Sequence, residues 1–117
     1  MTGKSKEEIL KNLEYRDVTF KSTSQSPAPS WLIGNVITTY DTLVELFGKP
    51  KLDDPDDIYN HFEWYVKSSN DHSLMIYDRQ YEEGYEKLKS IEYKWHIGGR
   101  DNKDANDLIA YIYKNKN

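Results

Sequence analysis

Apolar and polar positions along this chain follow two periods. Tyr40, Leu43, Val44 and Phe47 recur at i, i+3, i+4 and i+7, the spacing of one buried helical face. Thr38 or Thr39 is placed to cap its N-terminus, Gly48 suits a left-handed C′ position, and Pro50 forbids continuation. A second helix is predicted from about Asn102 to Lys114, with Asp101 available as N-cap and Ala105, Leu108, Ile109 and Ile112 as its apolar stripe. Between them the period falls to two. Residues 58–67 (IYNHFEWYVK), Ser73 to Arg79 and residues 90–97 (SIEYKWHI) each alternate as half-buried strands. The turn cluster Ser68 to His72 makes the first two an antiparallel hairpin. Residues 80–89, polar and Tyr-rich, read as a long loop or broken helix.

Ahead of this core the pattern is weaker. Residues 1–14 read as a short helix, with Ser5 and Glu8 at capping-box spacing and Ile9, Leu10 and Leu13 as its stripe. Residues 17–21 suit a strand with Val18 and Phe20 apolar. The stretch 22–30, STSQSPAPS, reads as a loop. Residues 31–37 are extended or irregular, and Gly34 marks a bulge or close approach. The expected organisation is an N-terminal arm at 1–30 and a core domain at 31–117. The expected fold class is α+β: an antiparallel sheet of three or more strands with helices packed on one face, plus an N-terminal helix and strand. That arrangement buries Phe62, Trp64, Val66, Leu74, Ile76, Ile91, Tyr93, Trp95 and Ile97. It leaves Tyr59, His61, Glu63, Tyr65, Met75, Tyr77, Lys94 and His96 on the opposite face, either open or covered by the arm or a second subunit.

The chain has 117 residues, 37% of them hydrophobic and 31% charged, which fits one domain with one core. Ten Tyr, three Trp and three Phe offset the low aliphatic content with large, partly polar surfaces. There is no Cys, which excludes disulfides, thiolate metal sites and Cys nucleophiles. No apolar run approaches ~20 residues, so no membrane partner is expected and a cytoplasmic protein is the default. The net charge of −4 argues against nucleic-acid binding by bulk field.

Four features carry candidate chemistry. Aromatics on the open sheet face, Tyr59, Tyr65 and Tyr77 among them, can stack on bases while Lys94 and His96 meet phosphate. Gly98, Gly99 and Arg100, between a strand and a helix start, either let a backbone cradle and a guanidinium engage an anion or form an ordinary Gly-Gly turn with a solvated Arg. His96, Arg100 and Tyr77 are expected near one another at one end of the sheet. The three histidines His61, His72 and His96 lack metal-ligand spacing and read as structural, so no metal or cofactor is expected. Asp53, Asp54, Asp56 and Asp57 lack the EF-hand pattern and read as a solvated loop, or as an acidic patch for a basic protein partner.

Ser30-Trp-Leu-Ile-Gly34, Thr39-Tyr40-Asp41-Thr-Leu43-Val44-Glu-Leu-Phe47-Gly48-Lys-Pro50, Glu63-Trp64, Ile76-Tyr77-Asp78 and Trp95-His96-Ile97-Gly98-Gly99 occur in that order. Together they resemble a small domain found mainly in bacteriophages and other viruses, with a "TYDxLVxxFGxP" helix, an "EW" strand, an "IYD" strand and a "WHIGG" strand end. The resemblance spans about residues 30–112. The family's "DGTVATIY" turn is here Asp71-His-Ser-Leu-Met-Ile-Tyr77, without its Gly. The resemblance implies a phage counter-defence protein in an infected bacterial cytoplasm. It would bind and sequester a host immune nucleotide signal without turnover, as a homo-oligomer. The alternative is a direct protein inhibitor of a host defence complex, resembling anti-CRISPR proteins, with the acidic loop 53–57 and the Tyr-rich 77–85 stretch as contact surface. A small nucleotide hydrolase ranks third, because no catalytic constellation is complete.

Overall fold

The computed structural model describes residues 18–27, 30–79 and 84–116. The predicted helix at 1–14 lies outside them. Among the described residues six strands form one antiparallel sheet: β1 (Phe20–Ser22), β2 (Trp31–Thr39), β3 (Leu52–Asp53), β4 (Phe62–Ser68), β5 (Ser73–Tyr77) and β6 (Glu92–Gly99). Among the described residues three helices accompany them: α1 (Tyr40–Phe47), α2 (Tyr85–Leu88) and α3 (Asn102–Asn115). The strand order is β1-β4-β5-β6-β2, and β3 pairs with β4 beside β1. The fold is α+β, as the periodicities predict.

One face of the sheet carries the core. Along β4, Phe62, Trp64, Val66 and Ser68 are buried while Glu63, Tyr65 and Lys67 are half-buried. Leu74, Ile76, Trp95, Ile97 and Val36 continue the buried face across β5, β6 and β2, meeting Leu43 and Phe47 of α1 and Ala105, Leu108 and Ile112 of α3. Trp64 and Trp95 pack edge to face with centroids 5.3 Å apart, a geometry worth about 0.5–1.5 kcal/mol beyond area burial. Their indole N–H groups also set α1 in place. Trp64 Nε1 donates to Gly48 O at 2.9 Å, just past the helix C-terminus, and Trp95 Nε1 donates to Thr38 O at 3.1 Å, just before its N-terminus. The predicted cap holds, with the Thr39 side chain accepting from Thr42 N at 3.1 Å.

Several boundaries differ from the sequence pattern, each for a local reason. β4 starts at Phe62 rather than residue 58, because Asp57 Oδ1 accepts from Tyr59 N and Asn60 N and folds that stretch into a turn. Tyr59 therefore stands 73% exposed in a loop and is not on the open sheet face. His61 is buried rather than open, with its Nδ1 3.2 Å from the buried Asp78 carboxylate. Residues 31–39 form a full strand with a register shift between Leu32 and Gly34. A Cβ at Gly34 would lie 2.8 Å from Ala105 Cβ, so the glycine lets α3 close onto the sheet. Of the expected arm, the described stretch β1 pairs with β4, and its Phe20 belongs to the hydrophobic cluster.

Candidate ligand-binding face of the sheet

The face opposite the helices is built row by row from strand register. Glu63 pairs with Tyr77, Tyr77 with His96, and His96 with Asn35, so these four side chains cross β4, β5, β6 and β2 in one line. Tyr65, Met75 and Gly98 form the next row, and Lys94 opposite Ile37 flanks the first on its other side.

Within the first row Tyr77 and His96 lie with ring centroids 5.5 Å apart, tilted by 32°. Asn35 Nδ2 lies 2.9 Å from His96 Nδ1 and 3.4 Å from Trp95 O. An amide nitrogen only donates, so Nδ1 accepts and the neutral ring keeps its proton on Nε2. The histidine pKa is lowered to match, first by burial and then by the positive charges of Arg79 and Lys94. Burial raises the Tyr77 pKa, with Arg79 opposing, so the phenol stays a donor. Among the described residues neither Arg79 nor Lys94 has a carboxylate partner within ion-pairing distance.

A buried anchor sets Arg79. Asp78 Oδ1 accepts from His61 N at 2.8 Å and Phe62 N at 2.9 Å, and the Tyr93 hydroxyl donates to the Asp78 carbonyl. His61 Nδ1 stands at ion-pairing distance from Asp78 Oδ2 without the alignment of a hydrogen bond. Arg79 itself adopts φ 58, and its N–H donates to Asn60 Oδ1 at 3.0 Å. Glu63 is engaged on the far side of the row, with Tyr65 donating to one oxygen at 2.6 Å and Asn60 to the other at 2.7 Å. Burial and this carboxylate push the Tyr65 pKa up to about 12.

The sequence-predicted residues thus divide. Tyr77, His96 and Lys94 come together. Tyr65 and Gly98 share the face, but Ser26 and Ser30 lie against their row. Ser26 bonds Tyr65, and Ser30 Oγ lies 3.6 Å from where a Gly98 Cβ would sit, with Tyr77 Cε1 at 3.3 Å. Gly99 belongs to the core face, where Ile33 Cδ1 and Leu74 Cγ fill the space a side chain would take. Both glycines are strand residues paired in the ladder, so they form no anion cradle. Arg100 lies beyond β6, about 13 Å of extended chain from His96, and not beside Tyr77. It lines a hollow of about 720 Å³ with His72, Asp71, Asp101 and Asp104. That hollow suits an anion poorly. Asp101 caps the helix through Lys103 N, and Asp104 pairs with His72 at 3.0 Å, so carboxylates of the chain already occupy the helix N-terminus. Sequence reasoning missed Arg79 and Asn35. Arg79 ends the IYDR run two residues past Tyr77, and Asn35 is the polar residue within the apolar run 31–37, so both were visible as anomalies.

The arrangement defines an α+β protein with helices on one side of an antiparallel sheet and a cationic, aromatic cluster on the other. Comparison with protein-family models, with curated proteins and with solved structures returned no match for this chain. Among the described residues no helix is long and apolar enough to cross a membrane, and no cluster of His, Asp and Glu has the geometry of a metal site.

Proposed function

We propose that this protein binds a small anionic nucleotide on the open sheet face and sequesters it without turnover. In this reading it is a bacteriophage counter-defence protein acting on a host immune signal in the bacterial cytoplasm. The observation that carries the binding reading is the pair of cations, Arg79 and Lys94, flanking the tilted Tyr77–His96 rings. A planar base can stack on such rings, at about 1–3 kcal/mol per base, while guanidinium and ammonium groups meet phosphate. The neutral His96 offers an Nε2–H donor, and Asn35 takes up the nitrogen that would otherwise serve as a base. The phage setting is supported by the resemblance of the motifs from Ser30 to Gly99.

The test is thermal unfolding of the intact chain across cyclic dinucleotides, cyclic trinucleotides and linear adenine nucleotides. A ligand at one hundred times its dissociation constant adds about 2.7 kcal/mol. That corresponds to about 10 °C for a chain of this size, at roughly 4 °C per kcal/mol. Mass spectrometry of the released ligand should return it unchanged. No shift across the panel removes this reading. A second reading, direct inhibition of a host protein complex, is favoured by the exposed Ile58 and Tyr59 beside the acidic 53–57 loop. It calls for a stable host complex that charge reversal at Asp54 and Asp56 weakens.

A further inference from the structure

The two edges of the sheet are built differently. At one edge β1 and β3 share the outer side of β4, are three and two residues long, and carry Lys21 and Asp53. Short, charged, interrupted edges are how sheets avoid pairing with other chains. At the other edge β2 runs nine residues, WLIGNVITT, without a single charge, in a chain that is 31% charged. Its outer side has no strand partner among the described residues. Trp31, Leu32 and Ile37 along it are 56%, 45% and 48% exposed. The one protective device, the register shift between Leu32 and Gly34, sits at its beginning and leaves Gly34–Thr39 regular.

We propose that the outer edge of β2 pairs antiparallel with β2 of a second copy of this chain, across a twofold axis near Ile37. Three arguments select that occupant. An antiparallel edge is self-complementary in its backbone hydrogen bonds, as a twofold interface requires. Centring the pairing on Ile37 keeps the faces in phase, setting Ile37 against its own counterpart, Val36 against Thr38 and Asn35 against Thr39, with no like charges opposed. Pairing β2 with the opposite edge of another copy would instead propagate without closure, and that edge is charged and broken. The resulting dimer extends one continuous sheet and carries two Tyr77–His96 clusters on one face. The proposal stands independently of the ligand reading.

The absence of native cysteine makes the test direct. Light scattering and sedimentation of the intact chain, from micromolar to submillimolar concentration, should give twice 13.8 kDa. Ile37→Lys, at an exposed position, should return the mass to one chain with the circular dichroism unchanged. Ile37→Cys should oxidise to a covalent dimer, whereas Lys21→Cys on the other edge should not. A wild-type monomer throughout that range overturns the proposal. So does a dimer that survives Ile37→Lys, or one that cross-links through Lys21→Cys and not Ile37→Cys. A monomer with slowly exchanging outward amides in 34–39 also overturns it, since the chain's own residues would then cover the edge.

Discussion

Asp78 is fully buried, and its replacement tests how the open face is held in shape. The carboxylate accepts from His61 N and Phe62 N, closing the start of β4 onto the end of β5, one residue before Arg79. Asp78→Ala leaves two buried N–H groups without their acceptor, at about 1–3 kcal/mol each. It also leaves His61 beside a void. The expected loss is about 3–5 kcal/mol, the middle of the range that two such unsatisfied groups give together. Against the 5–15 kcal/mol typical of a domain this is severe. At about 4 °C per kcal/mol it lowers Tm by roughly 12–20 °C. Asp78→Asn keeps one acceptor oxygen of similar shape and should lose less than half as much. Urea unfolding of all three proteins, read by Trp fluorescence and far-UV circular dichroism, gives the differences from the midpoints at constant m. A cost below about 1 kcal/mol for the alanine variant would mean that the two N–H groups had found water or another acceptor, and that Asp78 does not anchor this corner. Any change at Asp78 should also loosen Arg79, whose left-handed backbone follows directly.

Three further outcomes follow from the geometry. Gly34→Ala places a methyl group 2.8 Å from Ala105 Cβ and should cost about 1–3 kcal/mol by overpacking; Ala105→Gly in the same chain should recover part of the loss, which a double-mutant cycle measures. Thr39→Ala removes the α1 cap and should cost about 1 kcal/mol in the same unfolding assay. The His72 pKa is raised above 6.5, first by its hydrogen bond to Asp104 and then by that carboxylate's charge. Its contribution is therefore complete below the unfolded pKa and is lost as pH rises through the higher folded value; the urea midpoint should fall modestly over that window, the histidine being exposed to solvent, and Asp104→Asn should flatten the change.

The helices and strands of the core were legible because their signals were redundant. α1 combines an apolar stripe with Thr39 at one end and Gly48 and Pro50 at the other, and local propensity agrees with the fold. Alternation in β4, β5 and β6 predicted the one-sided core, with Trp64 and Trp95 on the buried face. The site was less legible. Whether two residues share an end of a sheet depends on register, and periodicity does not supply it. His96 and Arg100 are four residues apart in sequence and at different ends of the face. Gly98 and Gly99 resembled a loop, yet they relieve crowding from Tyr77, Ser30, Ile33 and Leu74 within a strand. His61 alternated with the outward residues and turned inward because Asp78, seventeen residues later, draws the start of β4 toward it. β3 spans only two residues and exists through its pairing with β4.

The binding proposal places an anionic nucleotide on the open face, at the row through Tyr77 and His96. Amide chemical-shift mapping of the isotope-labelled chain, titrated with each nucleotide of the panel, tests this most directly. Saturable shifts are expected at Asn35, Tyr77, Arg79, Lys94 and His96, weakened by salt and abolished in the doubly substituted Arg79→Ala, Lys94→Ala protein. Shifts confined to the hollow around His72 and Arg100, or none at millimolar nucleotide, would contradict it.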